Sequence, residues 1–412
     1  MLSPETLDTI VHRGVSDIIS RDEFIRLLQS GRPLRLKMGF DPSRPDIHLG
    51  HTVGLRKLRQ LQDLGHQVIL IVGDWTAQIG DPSGQSATRP MLTHEQVMEN
   101  AQSYLRQFFK VVDRDRTQVV EQSEWFGKFT LADVIGLTGR FTVAQFLQRS
   151  DFAQRFAEQR PIAITELLYP LLQAYDSVVI ESDVEFGGTD QMFNLLVGRE
   201  LQEMMGQRPQ QCFMMPILPG TDGVQKMSKS LDNYIAVDES PADMYGKVMS
   251  IADNMIVRYY ELLTDLPSTD LADLERDIEL DTVNPMEHKK RLALDITSQF
   301  HDPAAADAAQ AHFERVVQGR NLPDEMPEVS LASLREQSNA PDGAIRADRL
   351  LVAAGLAASN AEARRLLSQG AVEILPSSGD PYRLEGDRAE VSPAAGDVLR
   401  AGRRRFIRIV EP

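Results

Sequence analysis

Two short motifs in this chain have the residue types and spacing to bind phosphate groups. Residues 48–51 read His-Leu-Gly-His and begin a predicted helix after a strand, whereas residues 226–230 read Lys-Met-Ser-Lys-Ser and lie in a later loop. A helix start presents free N–H groups and the positive end of the helix dipole, and histidines three residues apart share one helix face. Two lysines with hydroxyls between them suit a clamp for negative charge that grows in a transition state. Together the motifs predict a site that activates a carboxylate with ATP.

Spacing alone leaves simpler interpretations of each motif open. The histidines could be incidental on a capped helix, or zinc ligands, although no third ligand is evident. The lysines could lie in a solvated basic loop. Gly50 favours a nucleotide, because the missing side chain lets a base approach closely. The sequence has neither a Walker motif nor Gly-x-Gly-x-x-Gly after a strand, which argues against a P-loop NTPase and a dehydrogenase.

Hydrophobic periodicity predicts the elements that position the first motif. Residues 34–40 alternate apolar and other side chains, which predicts a strand with one buried face. Leucines at helical spacing up to Gly65 predict a helix, and residues 68–72 predict a fully buried parallel strand. Thr93 and Gln96 fit a capping box, and helices are also predicted within 131–176 and 241–317. This is the pattern of an α/β domain followed by helices.

Composition limits the class of protein. The 412 residues predict two to three domains, and the net charge of −16 disfavours nucleic-acid binding by the chain as a whole. Residues 341–412 are nearly neutral instead, with 11 basic and 10 acidic residues, so a basic face could form there. Cys212 is the only cysteine, which excludes an intramolecular disulfide and predicts a cytoplasmic protein. We expect no signal peptide and no membrane span, because the longest strongly apolar run, residues 68–72, is far too short.

The two phosphate motifs, in this order, resemble the paired hallmark of class I aminoacyl-tRNA synthetases. Three further segments resemble tyrosyl-tRNA synthetases of the bacterial type: a helix at 169–176, a loop at 187–191 and a turn at 80–84. The resemblance implies an α/β catalytic domain at 1–230 with a Rossmann-like, doubly wound parallel sheet and a dimer-forming insertion at about 91–190. It further implies an α-helical anticodon-side domain at 231–325, a linker at 326–343 and a small α+β RNA-binding domain at 344–412.

The family likeness implies ligation of tyrosine to tRNA(Tyr). L-tyrosine would react with ATP to give tyrosyl-AMP and pyrophosphate, and the tyrosyl group would pass to the 3′-terminal adenosine. ATP is then a substrate accompanied by Mg²⁺, and no permanent cofactor or protein metal site is expected. The implied catalytic residues are His48, His51, Lys226, Lys229 and Arg89. The implied ATP-binding residues are Asp41, Gly50, Asp190, Met227 and Ser228. The implied tyrosine-binding residues are Lys37, Gly39, Asp81, Tyr169, Gln173, Asp176 and Gln191.

The helix at 169–176 also makes physical sense as a binding surface. Tyr169, Gln173 and Asp176 are four and three residues apart, so they share one helix face. Asp176 would accept a hydrogen bond from the phenol, and Gln173, Tyr169 and Asp81 would hold the ammonium group. The alternative is a helix cap with polar surface residues. Asp190 would bind the ribose hydroxyls or cap the following helix.

Three positions depart from the family pattern. Many members have tyrosine at the position of Lys37, which leaves the second group at the phenol oxygen open. A buried Lys37 would form an ion pair with Asp176, and the alternative is a solvent-facing strand lysine. Gln85 replaces a lysine that often binds pyrophosphate, although Arg89 remains in the same loop. Gly54 replaces a threonine that contacts the nucleotide.

The C-terminal segment resembles the RNA-binding module first seen in ribosomal protein S-four. Ser359 is predicted to cap a helix that presents two arginines. Arginines on one face can bind RNA phosphates through their forked guanidinium groups, and the alternative is ordinary surface arginine. The implied RNA-binding residues are Arg346, Arg349, Arg364, Arg365, Arg403, Arg404 and Arg405.

The resemblance also implies a homodimer, with its interface in the insertion at residues 131–159. Four phenylalanines supply apolar area there, and the alternative is an intramolecular core: Phe141, Phe146, Phe152 and Phe156. The nearest rival function is tryptophanyl-tRNA synthesis, against which Asp176 and the C-terminal module argue. A catalytically idle RNA-binding protein would need none of the site residues, and a nucleotidyltransferase with the histidine motif would be much shorter.

Overall fold

The computed structural model describes residues 2–43, 46–82, 92–280, 282–318, 326–338, 340, 344–377, 381–384, 386, 389–402 and 405–411. The chain divides into two compact units, residues 1–307 and 308–412. No helix in these ranges is long and apolar enough to cross a membrane.

A doubly wound sheet organises the first unit. Its strands are β1 Asp17–Ile19, β2 Arg35–Phe40, β3 Gln67–Val72, β4 Thr117–Glu121, β5 Val184–Gly188 and β6 Gln211–Met215. Their order is β1-β6-β5-β2-β3-β4, with β1 antiparallel to β6 and the other neighbours parallel. The chain runs outward from β2 to β4 and then returns to β5 on the other side of β2. Ligands of such sheets bind at the carboxyl ends of the strands where the winding reverses, here between β2 and β5.

Helices precede, cover and follow the sheet. They are α1 Pro4–His12, α2 Arg21–Leu28, α3 Leu49–Asp63, α4 Thr76–Ile79, α5 His94–Phe108, α6 Ser123–Phe126, α7 Leu131–Thr138, α8 Val143–Phe146, α9 Ser150–Ala157, α10 Ile164–Val179, α11 Met192–Met204, α12 Pro241–Val248, α13 Ile256–Leu263, α14 Ser268–Glu279, α15 Pro285–Phe300 and α16 Pro303–Phe313. Short 3-10 helices span Arg114–Arg116, Thr189–Gln191, Lys229–Leu231 and Asp253–Met255, and a π-helix spans Glu314–Gln318.

The structure confirms the predicted α/β pattern around the first motif, with one correction. Strand β2, helix α3 and strand β3 follow one another as expected, and Thr93 and Gln96 form the capping box of α5. Strand β2 has buried side chains on both faces instead of one, since Lys37 is wholly buried on one face and Leu36 and Phe40 are buried on the other. The reason is that β2 lies in the middle of the sheet, between β5 and β3, and the central strands of parallel sheets are typically buried on both faces.

The insertion between β4 and β5 has its own apolar core. Phe146 and Phe152 are buried in it, and Phe141 packs against it, together with residues of α10 and α11. Three of the four phenylalanines expected at a dimer interface therefore point into the unit. Phe156 remains 65% exposed. Other exposed apolar residues of this insertion are Leu131, Ile135, Val143 and Ile164.

The second unit is a small α+β domain. Its elements are β7 Glu328–Ser330, α17 Leu331–Gln337, β8 Ile345–Arg346, α18 Ala347–Ala353, α19 Asn360–Ser368, β9 Val372–Leu375, β10 Tyr382–Arg383, β11 Glu390–Val391, β12 Val398–Ala401 and β13 Arg405–Val410. One sheet has the order β10-β9-β12-β13-β7, and β8 pairs with β11. Leu350, Leu366 and Leu399 belong to its buried core.

The predicted linker at 326–343 is partly folded. Strand β7 pairs in parallel with β13, and α17 contributes Leu334 to the core of the second unit. This stretch is polar in composition although it folds, because β7 and α17 are short and partly exposed. Only a few of their side chains are buried and need to be apolar. The helices α12–α15 of the predicted 231–325 domain belong to the first compact unit.

Candidate active site

A cavity of about 340 Å³ opens at the carboxyl ends of the parallel strands of the first unit. Residues at or just beyond the ends of five strands line it: Asp41, Gly73, Gln122, Gly188 and Met215. Fourteen of the site residues predicted from the sequence also line it: Gly39, Asp41, His48, Gly50, His51, Asp81, Tyr169, Gln173, Asp176, Asp190, Gln191, Lys226, Met227 and Ser228. The winding of the sheet thus brings together segments that are up to half the chain apart.

The histidine motif occupies the start of α3. His48 is the N-cap residue, and its backbone N–H donates to His51 Nδ1 at 3.2 Å. Because Nδ1 of His51 accepts, Nε2 carries the proton and is a donor. A Cβ on Gly50 would lie 3.0 Å from the His48 ring, so the missing side chain accommodates that ring directly.

Both histidines are neutral near pH 7. Burial, followed by the charges of the nearby Lys229 and Lys226, lowers the pKa of His51 to about 4. Burial, His51 and the same lysines hold the pKa of His48 well below its ordinary value. The motif therefore offers uncharged N–H donors, and the cations at this end of the cavity come from the lysine loop.

The lysine loop is held closed by Asn233, a residue that the sequence analysis missed. Its Oδ1 accepts from the Ser228 backbone N–H at 2.8 Å, and its Nδ2 donates to Asp222 at 2.7 Å and to the Lys226 carbonyl at 3.1 Å. Met227 is buried beneath the loop. One amide thus connects the two ends of the loop.

The two lysines of the loop have different surroundings. Lys226 Nζ lies 2.5 Å from Asp190 Oδ2, and its side chain is 57% exposed. Asp190 makes no N-cap hydrogen bond to α11, so the alternative role considered for it is not found. Lys229 donates to the Asp46 carbonyl and lies over the Tyr104 ring, 5.5 Å from its centroid. Lys229 is not among the lining residues of the cavity.

A buried carboxylate forms the opposite end of the cavity. Asp176 is 2% exposed, and it accepts from Gln122 Nε2 at 2.8 Å and from Trp125 Nε1 at 3.2 Å. The pKa of Asp176 is raised to about 7, because the effect of burial outweighs Lys37 and the Gln122 hydrogen bond, which act in the opposite direction. The face of α10 that carries Asp176 points inward, which excludes the interpretation as polar surface.

Gln122 has a fixed orientation. Its Oε1 accepts from the backbone N–H groups of Trp75 and Thr76 at 3.2 and 3.0 Å, which directs its Nε2 to Asp176. Gln122 directly follows the short strand β4. Its position at the carboxyl end of a parallel strand was the signal that could have identified it.

Polar groups along one wall of the cavity contact each other. Tyr169 donates to Asp41 at 2.8 Å, and Thr76 donates to the other oxygen of Asp41 at 2.7 Å. Gln191 Nε2 lies 3.4 Å from Asp81 Oδ2. Asp41, which was expected to bind ATP, therefore lies beside Tyr169 of α10. These carboxylates make this wall suitable for an ammonium group.

Gly54, one of the departures from the family pattern, has a packing reason. A Cβ at this position would lie 3.0 Å from the terminal methyl groups of both Met38 and Met215. The methionine side chains fill the space that a threonine would occupy.

Lys37 does not line the cavity. Its ion-pair partner is Glu185, 2.9 Å away, and not Asp176 as the sequence suggested. The observed partner differs from the expected one because Asp176 already accepts hydrogen bonds from Gln122 and Trp125. Glu185, on the adjacent strand β5, faces the same interior as Lys37 and pairs with it instead. The solvent-facing alternative is wrong as well, since Lys37 is 0% exposed.

Arg89, Gln85, Arg403 and Arg404 lie outside the described residues. The other implied RNA-binding arginines are on the second unit. Asp348, wholly buried, pairs with Arg346 at 2.7 Å and with Arg364 at 3.1 Å. Ser359 caps α19 as predicted. Arg349, Arg365 and Arg405 are exposed.

No cluster of three or more His, Cys, Asp or Glu side chains suited to a metal ion occurs in the described part of the chain.

Comparison with known proteins agrees with this geometry. A family model described as "tRNA synthetases class I (W and Y)" matches residues 29–318. The chain belongs to this family of class I tRNA synthetases.

Relatives within the family share one name. "Tyrosine--tRNA ligase" of Dehalococcoides mccartyi strain CBDB1 is 57% identical over 408 residues, which cover 99% of each chain. "Tyrosine--tRNA ligase" of Thermotoga maritima is 51% identical over 408 residues, which cover 99% of this chain and 98% of the relative.

Solved structures share the fold at lower identity. The tyrosyl-tRNA synthetase of Archaeoglobus fulgidus, complexed with L-tyrosine, is 24% identical with a TM-score of 0.61, over 74% of this chain and 99% of that one. The C-terminally truncated mitochondrial tyrosyl-tRNA synthetase of Aspergillus nidulans is 20% identical with a TM-score of 0.64. The match covers 76% of this chain and 94% of that one. These structures confirm the α/β fold class.

Proposed function

We infer that this chain is a tyrosine–tRNA ligase. It activates L-tyrosine with ATP to tyrosyl-AMP and pyrophosphate, and then transfers the tyrosyl group to the 3′-terminal adenosine of tRNA(Tyr). The observation that carries this assignment is one cavity with the buried Asp176 at one end and the histidine and lysine motifs at the other. The tyrosine–tRNA ligases that match nearly the full length of the chain support it.

The Asp176 end of the cavity binds the tyrosine side chain. The phenol hydroxyl donates to the carboxylate, whose orientation Gln122 and Trp125 maintain. Phenylalanine would leave the buried carboxylate without this partner, and an unsatisfied buried charge is costly. Asp81, Tyr169, Gln173 and Gln191 lie along the cavity and receive the ammonium group, and Gly39 leaves room for the substrate backbone.

The other end binds ATP. The neutral His48 and His51 donate to phosphate oxygens, and Asp190 binds the ribose hydroxyls. Lys226 and Lys229 stabilise the pyrophosphate that departs when the tyrosine carboxylate attacks the α-phosphate in line. Lys226 first exchanges its Asp190 contact, and Lys229 its Asp46 contact, for phosphate. Arg89 is proposed to join them.

Magnesium is expected to accompany ATP. Since the described residues contain no metal-binding cluster, the phosphate oxygens would supply most of its ligands. Magnesium would neutralise phosphate charge, and the steps assigned to the residues above do not depend on its position.

The second unit is proposed to bind tRNA(Tyr). Asp348 fixes Arg346 and Arg364 on one side of the domain, where forked guanidinium groups can bind RNA phosphates. The helices at 231–325 are proposed to face the anticodon side of the tRNA. A cytoplasmic location, where tRNA is charged, stays a prediction.

The assignment is tested by ATP–pyrophosphate exchange with tyrosine, phenylalanine and tryptophan in parallel. We expect exchange with tyrosine alone. Preference for tryptophan would keep the family and the mechanism but overturn the substrate. Failure with all three amino acids, combined with tRNA binding, would favour a catalytically idle RNA-binding protein.

Lys229→Ala should depress tyrosyl-adenylate formation about a hundredfold or more, because removing one donor to a developing charge costs ~3–4 kcal/mol. Tyrosine binding, measured by equilibrium dialysis, should stay unchanged. Lys290, whose side chain is 17% exposed, is distant in sequence from the site residues, and Lys290→Ala serves as the control. Normal activation by the Lys229 variant would refute its assigned role.

Tyrosine binding should depend on pH through Asp176. Because the pKa of Asp176 is raised to about 7, the carboxylate becomes protonated below this pH and loses its acceptor strength. The KM for tyrosine in the exchange reaction should rise about tenfold from pH 8 to pH 6, as expected for one linked proton. The histidines do not titrate in this range. A KM independent of pH would contradict the assignment.

The chain is proposed to form a homodimer through the exposed apolar residues of the insertion. Ile135 and Phe156 are each more than 60% exposed in the isolated chain, and such patches mark interfaces. Phe156→Asp should raise the dimer dissociation constant at least tenfold in sedimentation experiments. Leu280→Asp, at a similarly exposed apolar residue outside the insertion, is the control. A monomeric, active wild-type enzyme would rule out the dimer.

A further inference from the structure

A buried charge pair lies behind the amino-acid end of the cavity and has no role in the function proposed above. Lys37 on β2 and Glu185 on β5 are 0% and 1% exposed, with Nζ and Oε1 2.9 Å apart. Burying two charges is expensive unless every donor and acceptor is satisfied. Such a pair therefore needs a reason beyond filling the core.

The ammonium group of Lys37 is fully occupied by the protein. It donates to the Gln173 carbonyl at 2.7 Å and to Ser177 Oγ at 2.7 Å, and it pairs with Glu185. An ammonium group has three N–H bonds, so none is left for a substrate hydroxyl. Lys37 thus cannot replace the tyrosine that many family members have at this position.

Glu185 is also fully engaged. Besides Lys37, its Oε1 accepts from Gln173 Nε2 at 2.9 Å. Its Oε2 accepts from Ser177 Oγ at 3.2 Å and from Gln210 Nε2 at 2.5 Å. The pair therefore joins β2 and β5 to two residues of α10, one helical turn apart.

Gln173 is the point where this network meets the cavity. Its backbone carbonyl accepts a hydrogen bond from Lys37, and its Nε2 donates to Glu185. Its Oε1 accepts from Asn194 Nδ2 at 3.1 Å. Three contacts fix its main chain and its side chain, while the residue still lines the cavity. Asp176 lies between Gln173 and Ser177 on the same helix.

We propose that Lys37 is a positioning residue of the tyrosine pocket, which together with Glu185 orients Gln173 and places a buried cation against the helix that carries Asp176. The inference rests on the proposed function. Its electrostatic part agrees with the pKa of Asp176, which Lys37 lowers and Glu185 raises, with the lysine the stronger of the two. Among the described residues, Asp176 also faces the neutral donors Gln122 and Trp125 and interacts with Tyr169, whose own pKa is raised well above its ordinary value, first by burial, so that the phenol is neutral.

The test uses Lys37→Met in the full-length enzyme and separates the KM for tyrosine from the KM for ATP in the exchange reaction. We expect the KM for tyrosine at pH 7.5 to rise at least tenfold and the KM for ATP to change less than threefold. The pH below which the KM for tyrosine rises should shift upward by about one unit, because Asp176 loses a nearby cation.

A matched control separates positioning from stability. Lys57 is a second buried lysine, on α3, which donates to the carbonyls of Thr9, Ile10 and Arg13 and does not line the cavity. Lys57→Met should lower the thermal midpoint but keep the KM for tyrosine within twofold of the wild type. A purely structural role of Lys37 would give the same result in both variants.

The double variant Lys37→Met/Glu185→Gln covers the case in which the single variant does not fold. It leaves no unpaired buried charge and keeps an acceptor for Gln173, so its thermal midpoint should return toward that of the wild type. Its KM for tyrosine should remain at least fivefold raised. A wild-type KM in either Lys37 variant would overturn the inference. Absence of tyrosine-dependent exchange in the unmodified enzyme would overturn the proposed function and this inference with it.

Discussion

The burial of Asp176 is the constraint on which the pocket depends. A carboxylate in a nonpolar interior is unstable unless donors or cations compensate for the lost water. Gln122 and Trp125 supply the donors, and backbone N–H groups of the segment that follows β3 fix Gln122 by donating to its Oε1. The cation comes from β2 as Lys37. Three strands of the sheet thus contribute to the environment of a single helical side chain.

The winding of the sheet makes this arrangement possible. β2 and β5 are neighbours in space, although almost 150 residues separate them, and the chain leaves β2 and β5 in opposite directions across the sheet. Their carboxyl ends leave an open crevice. The start of α3 and the loop after β6 both reach this crevice, which brings the histidine motif to the lysine motif. A bridge between His48 and Ala236 strengthens this contact.

The two ends of the cavity differ in how firmly they are held. Around Asp176 and Gln173 the polar side chains are buried and make several hydrogen bonds each, as recognition of one amino acid requires. At the other end, Lys226 is more than half exposed and its ion pair with Asp190 is one that solvent weakens. Asn233 holds the loop backbone, while the side chains of Lys226 and Lys229 are bound by Asp190 and by the Asp46 carbonyl. This difference suits a site that selects the tyrosine side chain at one end and, at the other, stabilises the negative charge that develops on the departing pyrophosphate.

The sequence by itself determined the local elements and the chemistry of the site. Periodicity identified β2, α3 and β3, and the capping residues identified α5 and α19. The resemblance of five short motifs to a known family implied fourteen residues that line one cavity. These features depend on residues close in sequence, so a linear pattern contains them. Tertiary structure alone decided the partner of Lys37, the inward direction of Phe146 and Phe152, and the roles of Gln122, Asn233 and Asp348. Each of these depends on which strands and helices become neighbours, and a buried charge takes whichever partner the packed sheet places beside it.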